Sequence, residues 1–353
     1  MAVGCVVTDL LSSVMSETFP TRSRSERTRD RRGLKIVLWS LVVAVLLIGV
    51  VVGALAFVSS NVQQSFDEAE VITDAFPDDE FRPPPGLEGT VTILLLGSDT
   101  RGEVGRSLSA AIGDRSDAMI LVRLSGDRQN VTLMSMMRDS WVEIPGRGEN
   151  KINAALAFGG VPLAVQTVEN LVGVRVDHVA IIDFEGFKAL TDSLGGVTID
   201  NQRAFTPTEL PSASFPRGEI TLNGEEALAY VRDRMSFADG DFQRVRNQQT
   251  FLKGLANTLL TKVSLTNPAQ TMRLVDSLSP YMARDPGLTS EVIVGVAGSL
   301  RGVKSDSVTS FTMPTTGTGT IRGQSVVLVD FDELEKVTEM FRDDTIHTYS
   351  PSN

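Results

Sequence analysis

Between Lys35 and Ser59 the chain carries no charged residue: Ile36 to Val58 reads IVLWSLVVAVLLIGVVVGALAFV. A helix of that length rises about 34 Å, enough to cross the roughly 30 Å hydrocarbon core of a bilayer, and few other folds accept so long a run without a charge. A cleaved signal peptide is the competing reading. It is disfavoured because the run exceeds the usual apolar core of such peptides and no A-x-A-like site comes after it. Arg22, Arg24, Arg27, Arg29, Arg31, Arg32 and Lys35 lie just before the run, and an excess of Lys and Arg marks the cytoplasmic side. The expected organisation is a basic cytoplasmic arm (1–35), a transmembrane helix (36–58), an extracellular spacer (59–89), a folded domain (90–345) and a tail (346–353). Such a protein is a single-pass protein of the cell membrane with its N-terminus in the cytoplasm and its large domain outside.

Charge and cysteine obey the same division. Of 33 Lys and Arg and 44 Asp and Glu, the first 35 residues hold seven and four, so the arm is about +3 and the remainder about −14. The arm is too short and too rich in Ser and Arg to fold into a nucleic-acid reader, and its charge is explained by topology alone, so no nucleic-acid partner is expected. The single cysteine, Cys5, lies on the cytoplasmic side, which leaves the outer domain without a disulfide and dependent on its core. The stretch before Met15 differs in character from the Ser- and Arg-rich remainder of the arm, and translation is expected to start at Met15. Near the end of the spacer, Arg82-Pro83-Pro84-Pro85-Gly86 reads as a stiff segment.

From Thr90 onward apolar runs of strand length alternate with helical spacing, the pattern of an α/β domain. Thr90 to Leu96 is a strand ended by Gly97-Ser98-Asp99; after a small-residue loop, Ala118 to Leu124 and Val131 to Met136 are two more. Asn153 to Phe158 and Pro162 to Leu171 read as helix, His178 to Asp183 as strand, Phe184 to Leu194 as helix and Val197 to Ile199 as a short strand. Ala204 to Arg217 reads as a loop over the site. Asn223-Gly-Glu-Glu226 resembles a capping box opening a helix into Arg232-Asp233-Arg234, and Asp241 to about Thr261 is a long helix. Helices are expected at 268–278, 289–300 and 331–342, and strands at 308–313 and 326–329. Thr315 to Gly323 (TTGTGTIRG) lacks the spacing and the lysine of a phosphate loop and reads as a flexible turn.

Two carboxylates, Asp99 and Asp117, arrive at neighbouring strand ends, which suits a Mg²⁺ ion that keeps phosphate or water ligands; each also has a plainer role as a turn cap. Arg101, Arg115, Arg138, Arg232, Arg234, Arg244 and Arg246 gather at the same turns and helix ends in a domain that is acidic overall. Guanidinium forks grip phosphate oxygens in pairs, although any single arginine is as well explained by a surface ion pair. On the long helix Arg244 and Gln248 share a face, while Arg246 and Gln249 point elsewhere. Asp241 reads as an N-cap, and Lys151 and Asn153 are within reach of the pocket or are loop polar groups. Ser98, Asp344 and His347 do not make an esterase, since no nucleophile elbow is present, and His178 reads as a packing residue.

The ordered blocks LLLGSDTR, RSDAMILVRL, SMMRDS, KINAALAFGG, DFEGFKALTDSLGGV, LNGEEALAYVRDR and DFQRVRNQQ, behind one N-terminal span, resemble the LytR-CpsA-Psr family of cell-wall ligases from about Val91 to Leu260. The resemblance implies an α/β/α sandwich with a central mixed sheet and an apolar lipid groove. It implies a phosphotransferase that moves a glycopolymer phosphate from a polyprenyl diphosphate carrier to peptidoglycan. Carried over by motif, it implies Asp99 and Asp117 as ligands of Mg²⁺ or Mn²⁺, with Arg115 and Arg138 beside them as catalytic groups. Arg101, Arg115, Arg138, Arg232, Arg234, Arg244 and Gln248 would bind the pyrophosphate. The chain departs from the commoner pattern at SMMRDS, in a long loop between Asp99 and Arg115, and at Asn247, where many members have arginine. Two other functions remain open on the residues: a polyprenyl diphosphate pyrophosphatase using water as acceptor, and a non-catalytic binding or regulatory protein of the envelope.

Overall fold

The computed structural model describes residues 69–98, 116–237, 240–262, 277–300 and 303–351. By contact the chain divides into Met1–Phe57 and Val58–Asn353, and every described residue belongs to the second unit. The span expected at Ile36 to Val58 lies outside the described residues, as do Asp99, Arg101, Arg115 and nearly all of the helix expected at 268–278.

In chain order the elements are β1 (Glu70–Val71), β2 (Val91–Ser98), β3 (Ser116–Leu124), β4 (Val131–Met136), β5 (Ser140–Ile144), β6 (Gly148–Lys151), α1 (Ala154–Val172), β7 (His178–Asp183) and α2 (Phe184–Ser193). They continue as β8 (Val197–Asn201), β9 (Gly218–Leu222), α3 (Gly224–Arg232), α4 (Gly240–Lys262), β10 (Met282–Arg284), α5 (Ser290–Ser299), β11 (Val308–Thr312), β12 (Thr315–Ile321), β13 (Gln324–Val329) and α6 (Phe331–Arg342). The central sheet runs β1-β10-β7-β2-β3-β4-β11. It is mixed: β2 pairs parallel with β7 and antiparallel with β3, and β4 pairs antiparallel with β3 and parallel with β11. A smaller sheet, β12-β13-β5-β6, continues from β4 and β11, and β8-β9 form a two-stranded ribbon.

Side chains alternate across a strand, so each apolar run serves two faces. On one face of the central sheet Leu94, Leu96, Met119, Leu121, Met134, Val179 and Ile181 are buried with residues of α1 and α6 in the main core. On the other, Ile120, Val122 and Val131 meet Leu252, Ala256 and Leu260 of α4, and Leu95 meets Val292 and Ile293 of α5, all of them only partly buried. The domain is thus layered helix, sheet, helix, as expected, with one face sealed and one less completely covered.

Helix α1 is the one described helix long and apolar enough to cross a membrane by length and composition. Nine of its residues, Ala164, Val165 and Val168 among them, are buried inside the domain, so it is a core helix. It breaks at Gly159 and Gly160, where Gly160 adopts φ 67 and ψ −160, a region open essentially to glycine, and it resumes at Pro162. The sequence divides the helix at the same place. The Asn223–Glu226 capping box is present, each side chain bonded to the other residue's backbone N–H.

Three expectations need correction. Part of the supposed spacer belongs to the domain: Ile72 and Ala75 are in the main core, β1 pairs with β10, and Arg82 Nη2 meets the fully buried Glu169 carboxylate at 2.7 Å. The supposed tail does too, since Ile346 is buried and the Tyr349 ring packs 4.6 Å from that of Phe311. In both stretches the apolar residues are too sparse to show a period, though each fills a place in the core. Thr315 to Gly323 is not a flexible turn; Thr315–Ile321 is strand β12, in which threonines alternate with glycines along β13. β-branched residues favour extended backbone, and the sheet supplies the pairing that a turn would lack.

Candidate phosphate-binding site at the edge of the central sheet

Strand direction and register determine which residues meet. β2 ends at Ser98, opposite Ser116 at the start of antiparallel β3 and opposite Asp183 at the end of parallel β7. β4 ends at Met136, paired with Met119, and β11 ends at Thr312, paired with Ser135. One edge of the sheet therefore gathers the exits of β2, β7, β4 and β11 and the entry of β3. The backbone of Asp117, the second residue of β3, stands at this edge. The segment that carries Asp99, Arg101 and Arg115 leaves from Ser98 and returns at Ser116, at the same edge.

Beyond β4, Met137 to Asp139 turn the chain from the large sheet into β5. The turn closes through Ser140 N–H donating to the Met137 carbonyl at 2.9 Å, and Asn153 N–H donates to the Arg138 carbonyl at 3.3 Å. The Asp139 carboxylate lies 3.0 Å from Lys151 Nζ and 3.8 Å from Arg138 Nε, all three side chains about one-fifth exposed. They line a cavity of about 460 Å³ together with Asn150, Asn153 and Arg234. Three cations against one carboxylate make the cavity net positive in a domain that is otherwise acidic, and a partly screened cavity of that kind favours an anion.

Arg234 comes to the cavity from the other side of the chain. α3 ends at Arg232, and Asp233, with extended dihedrals, buries its side chain and accepts from Thr208 N–H at 3.2 Å. Its second carboxylate oxygen is buried without a hydrogen-bond partner. Arg232 Nη1 lies 2.9 Å from Glu209, and its guanidinium stands 4.5 Å from the ring centre of Phe184, the residue after Asp183. Of the loop 204–217, Glu209 thus pairs with Arg232 and Thr208 with Asp233 at the end of α3.

Gln248 donates to the Val231 carbonyl at 3.3 Å, so the Arg244–Gln248 face of α4 looks toward the end of α3, as the helical spacing requires. Arg246 does point elsewhere. It donates to Gln243 Oε1 at 3.0 Å and lines a separate cavity of about 540 Å³ with Arg203 and Lys253. Asn247 is buried, accepts from Gln243 Nε2 at 2.9 Å and donates to the Tyr230 carbonyl at 3.2 Å, so this departure from the family pattern is a fitted core group. Burial pushes the neighbouring Tyr230 hydroxyl up to about 12.

The structure thus brings together Arg138, Arg234 and Lys151, places Asp117, Arg232, Arg244 and Gln248 around the same edge, and leaves Asp99, Arg101 and Arg115 outside the described residues. Two members of the edge were missed as site residues. Asp139 orders two of the cations. Asp183 caps α2 by accepting from Gly186 N–H at 2.7 Å, and burial raises its carboxyl above the ordinary value. The signal for Asp183, an apolar run ending in aspartate, is the same one that marks Asp99.

The LytR_cpsA_psr family model matches residues 56–343. The polyisoprenyl-teichoic acid–peptidoglycan teichoic acid transferase TagU of Bacillus licheniformis is 30% identical over 261 residues, covering 71% of this chain and 79% of that protein. The cell wall biosynthesis protein LcpA of Corynebacterium glutamicum is 30% identical over 287 residues, 70% of this chain and 54% of LcpA. Among solved structures, Bacillus subtilis TagV superposes with a TM-score of 0.61 at 26% identity over 75% of this chain and 99% of its own. TagT bound to LI-WTA gives 0.58 at 26% identity over 73% and 91%.

Proposed function

The chain belongs to the LytR-CpsA-Psr family, and on that premise we propose that it transfers a glycopolymer phosphate from a polyprenyl diphosphate carrier to peptidoglycan. Relatives named as teichoic acid–peptidoglycan transferases support the transfer and the acceptor. The observation that carries the donor is the cavity in which Arg138, Lys151 and Arg234 converge at the edge where Asp117 stands. The partly covered apolar residues Leu95, Ile120 and Val122 under α4 and α5 offer the polyprenyl chain an apolar surface. An anchor at Ile36 to Val58 would hold the enzyme on the membrane that carries such a lipid.

A hydroxyl oxygen of the acceptor attacks the phosphorus nearer the polymer, the bond from that phosphorus to the bridging oxygen breaks, and polyprenyl phosphate leaves with the bridging oxygen. The hydroxyl proton passes to a carboxylate at the edge or to water. Arg138, Lys151 and Arg234, with Arg115, Arg232, Arg244 and Gln248, bind the phosphate oxygens and oppose the charge that gathers on the leaving group. Asp99 and Asp117 would hold Mg²⁺. The donor types fit it: two hard carboxylates, with the backbone of Asp117 at the sheet edge where Arg138, Lys151 and Arg234 gather, would leave positions for phosphate and water oxygens. When bound, the ion neutralises diphosphate charge.

Arg138→Ala is expected to lower the rate of transfer from a short lipid-diphosphate donor by about 10²–10³-fold, the usual cost of removing one preorganised donor to a developing charge. Wild-type turnover by this variant would refute the assignment. Product analysis with and without peptidoglycan checks the acceptor, since polymer phosphate released equally in both would make the protein a pyrophosphatase.

A further inference from the structure

The small sheet has a second end. From the cavity at Arg138 and Lys151, β5 and β6 run side by side to a groove of about 470 Å³ lined by Trp141, Glu143, Glu149, Asn170, Leu328 and Phe331. Asp139 at one end and Glu143 at the other are four strand residues apart, about 13 Å.

The groove combines two chemistries. Its floor is apolar and aromatic, and Phe331, the first residue of α6, is 58% exposed within it. Its rim is planar and polar: Glu143 and Glu149 stand directly opposite each other across the strand pair, and both are exposed. Like charges in that position weaken a sheet, so the sheet's stability does not account for them. The Trp141 indole N–H is buried without a hydrogen-bond partner, an arrangement that costs stability.

A sugar ring matches both chemistries. Its C–H face packs on aromatic carbon, and the hydroxyls and amides at its edge pair with carboxylates and a carboxamide. The two carboxylates, set against the one guanidinium of Arg322 that stands 5.6 Å from the Trp141 ring centre, also select against negative charge, because a phosphate-bearing polymer would be repelled where an uncharged glycan would not. From this charge, and from the continuity of the strands with the cavity, we infer that the groove binds the uncharged sugar strand of the acceptor and lays it along β5 and β6 toward Arg138. The inference rests on the transferase assignment and names where its acceptor is held.

The test uses the full-length protein in detergent, titrated with a soluble oligomer of β-1,4-linked N-acetylglucosamine. Intrinsic fluorescence is the readout, since Trp141 is one of only two tryptophans. Saturable binding is expected for the wild type, weakened about ten-fold or more in Phe331→Ala and in Glu149→Gln, with the unfolding midpoint of neither variant lowered and that of Glu149→Gln, relieved of a like-charge pair, equal to or above the wild type's. Both variants should raise the acceptor KM while leaving binding of the lipid-diphosphate donor as it was. The inference is overturned if the wild type does not bind, if both variants bind like it, or if a phosphodiester polymer competes as well as the uncharged one. Glycan binding that responds to these substitutions, in a protein that transfers nothing, would refute the transferase assignment and leave the groove standing.

Discussion

The two faces of the central sheet use similar residues to different ends. Facing α1 and α6, Leu94, Leu96 and Leu121 are sealed in the main core; facing α4 and α5, Leu95, Ile120 and Val122 have the same apolar character and remain partly covered. Local sequence does not separate the two, since Ile120 and Leu121 are neighbours on one strand. The difference lies in the covering helices, and it suggests that the second face is completed by something other than the described chain. Partly exposed branched side chains on a mixed sheet would otherwise forgo burial worth about 25 cal/mol for each Å².

Substitutions on adjacent positions sharpen this contrast. Leu121→Ala opens a cavity in a closed core and is expected to cost about 2–5 kcal/mol, read as a lower urea midpoint with unchanged slope. Ile120→Ala, one residue away, is expected to cost less than about 1.5 kcal/mol and to raise the KM for a long-chain lipid donor more than for a short-chain one. If it costs as much as Leu121→Ala and leaves both KM values alone, the second face is ordinary core and the contrast is broken.

The two ends of β7 make a finer test. At its start the Asp285 carboxyl lies 3.3 Å from His178 Nδ1 and accepts from the N–H of Val179 and of Gly287. Burial pushes it up, but those bonds more than offset this and hold it below the ordinary 3.8. A lowered carboxyl stabilises the fold above pH 3.8, and the contribution is lost as pH falls through the lowered value. Asp183, at the other end, is pushed up by burial, so its contribution has the opposite sign: it favours the fold below 3.8 and is lost as pH rises through the raised value. Asp285→Asn should therefore cost about 1–3 kcal/mol at neutral pH and flatten the acid limb of a stability profile. Asp183→Asn keeps an equally good N-cap and should be neutral or stabilising by up to about 1 kcal/mol. Equal losses from the two would show that the site edge is built for stability like the rest.

Much of the fold was legible because its signals are local. The apolar runs before Asp99, Asp183 and Arg138, the capping box at Asn223, and the Gly159-Gly160 break each announce themselves within a few residues. The sheet order did not, because antiparallel β3 between β2 and β4 is set by pairing across the chain. Strands β5 and β6 were missed since Ser140 to Lys151 mixes Trp, Glu and Gly without a period, and Ile72, Ala75 and Ile346 are core residues only through distant partners. For the site, the residue types and the helical face of Arg244 and Gln248 were readable. That Arg138 shares a cavity with Arg234 across nearly 100 residues, with Lys151 paired to Asp139 in the same lining, depends on the tertiary fold.

The passage from large sheet to small sheet is made twice, side by side: Met137 to Asp139 lead β4 into β5, and Met313-Pro314 lead β11 into β12. The two connectors are bound to their surroundings by Met313 N–H to the Ser135 carbonyl at 2.9 Å and Val327 N–H to the Asp139 carbonyl at 2.8 Å. Neither has slack to absorb a change in length. A library of single-residue insertions and deletions should therefore show a sharp gap in tolerance at these five positions. A chimera that exchanges the small sheet for that of a relative would have to keep both joints at their present length to keep Arg138 in place.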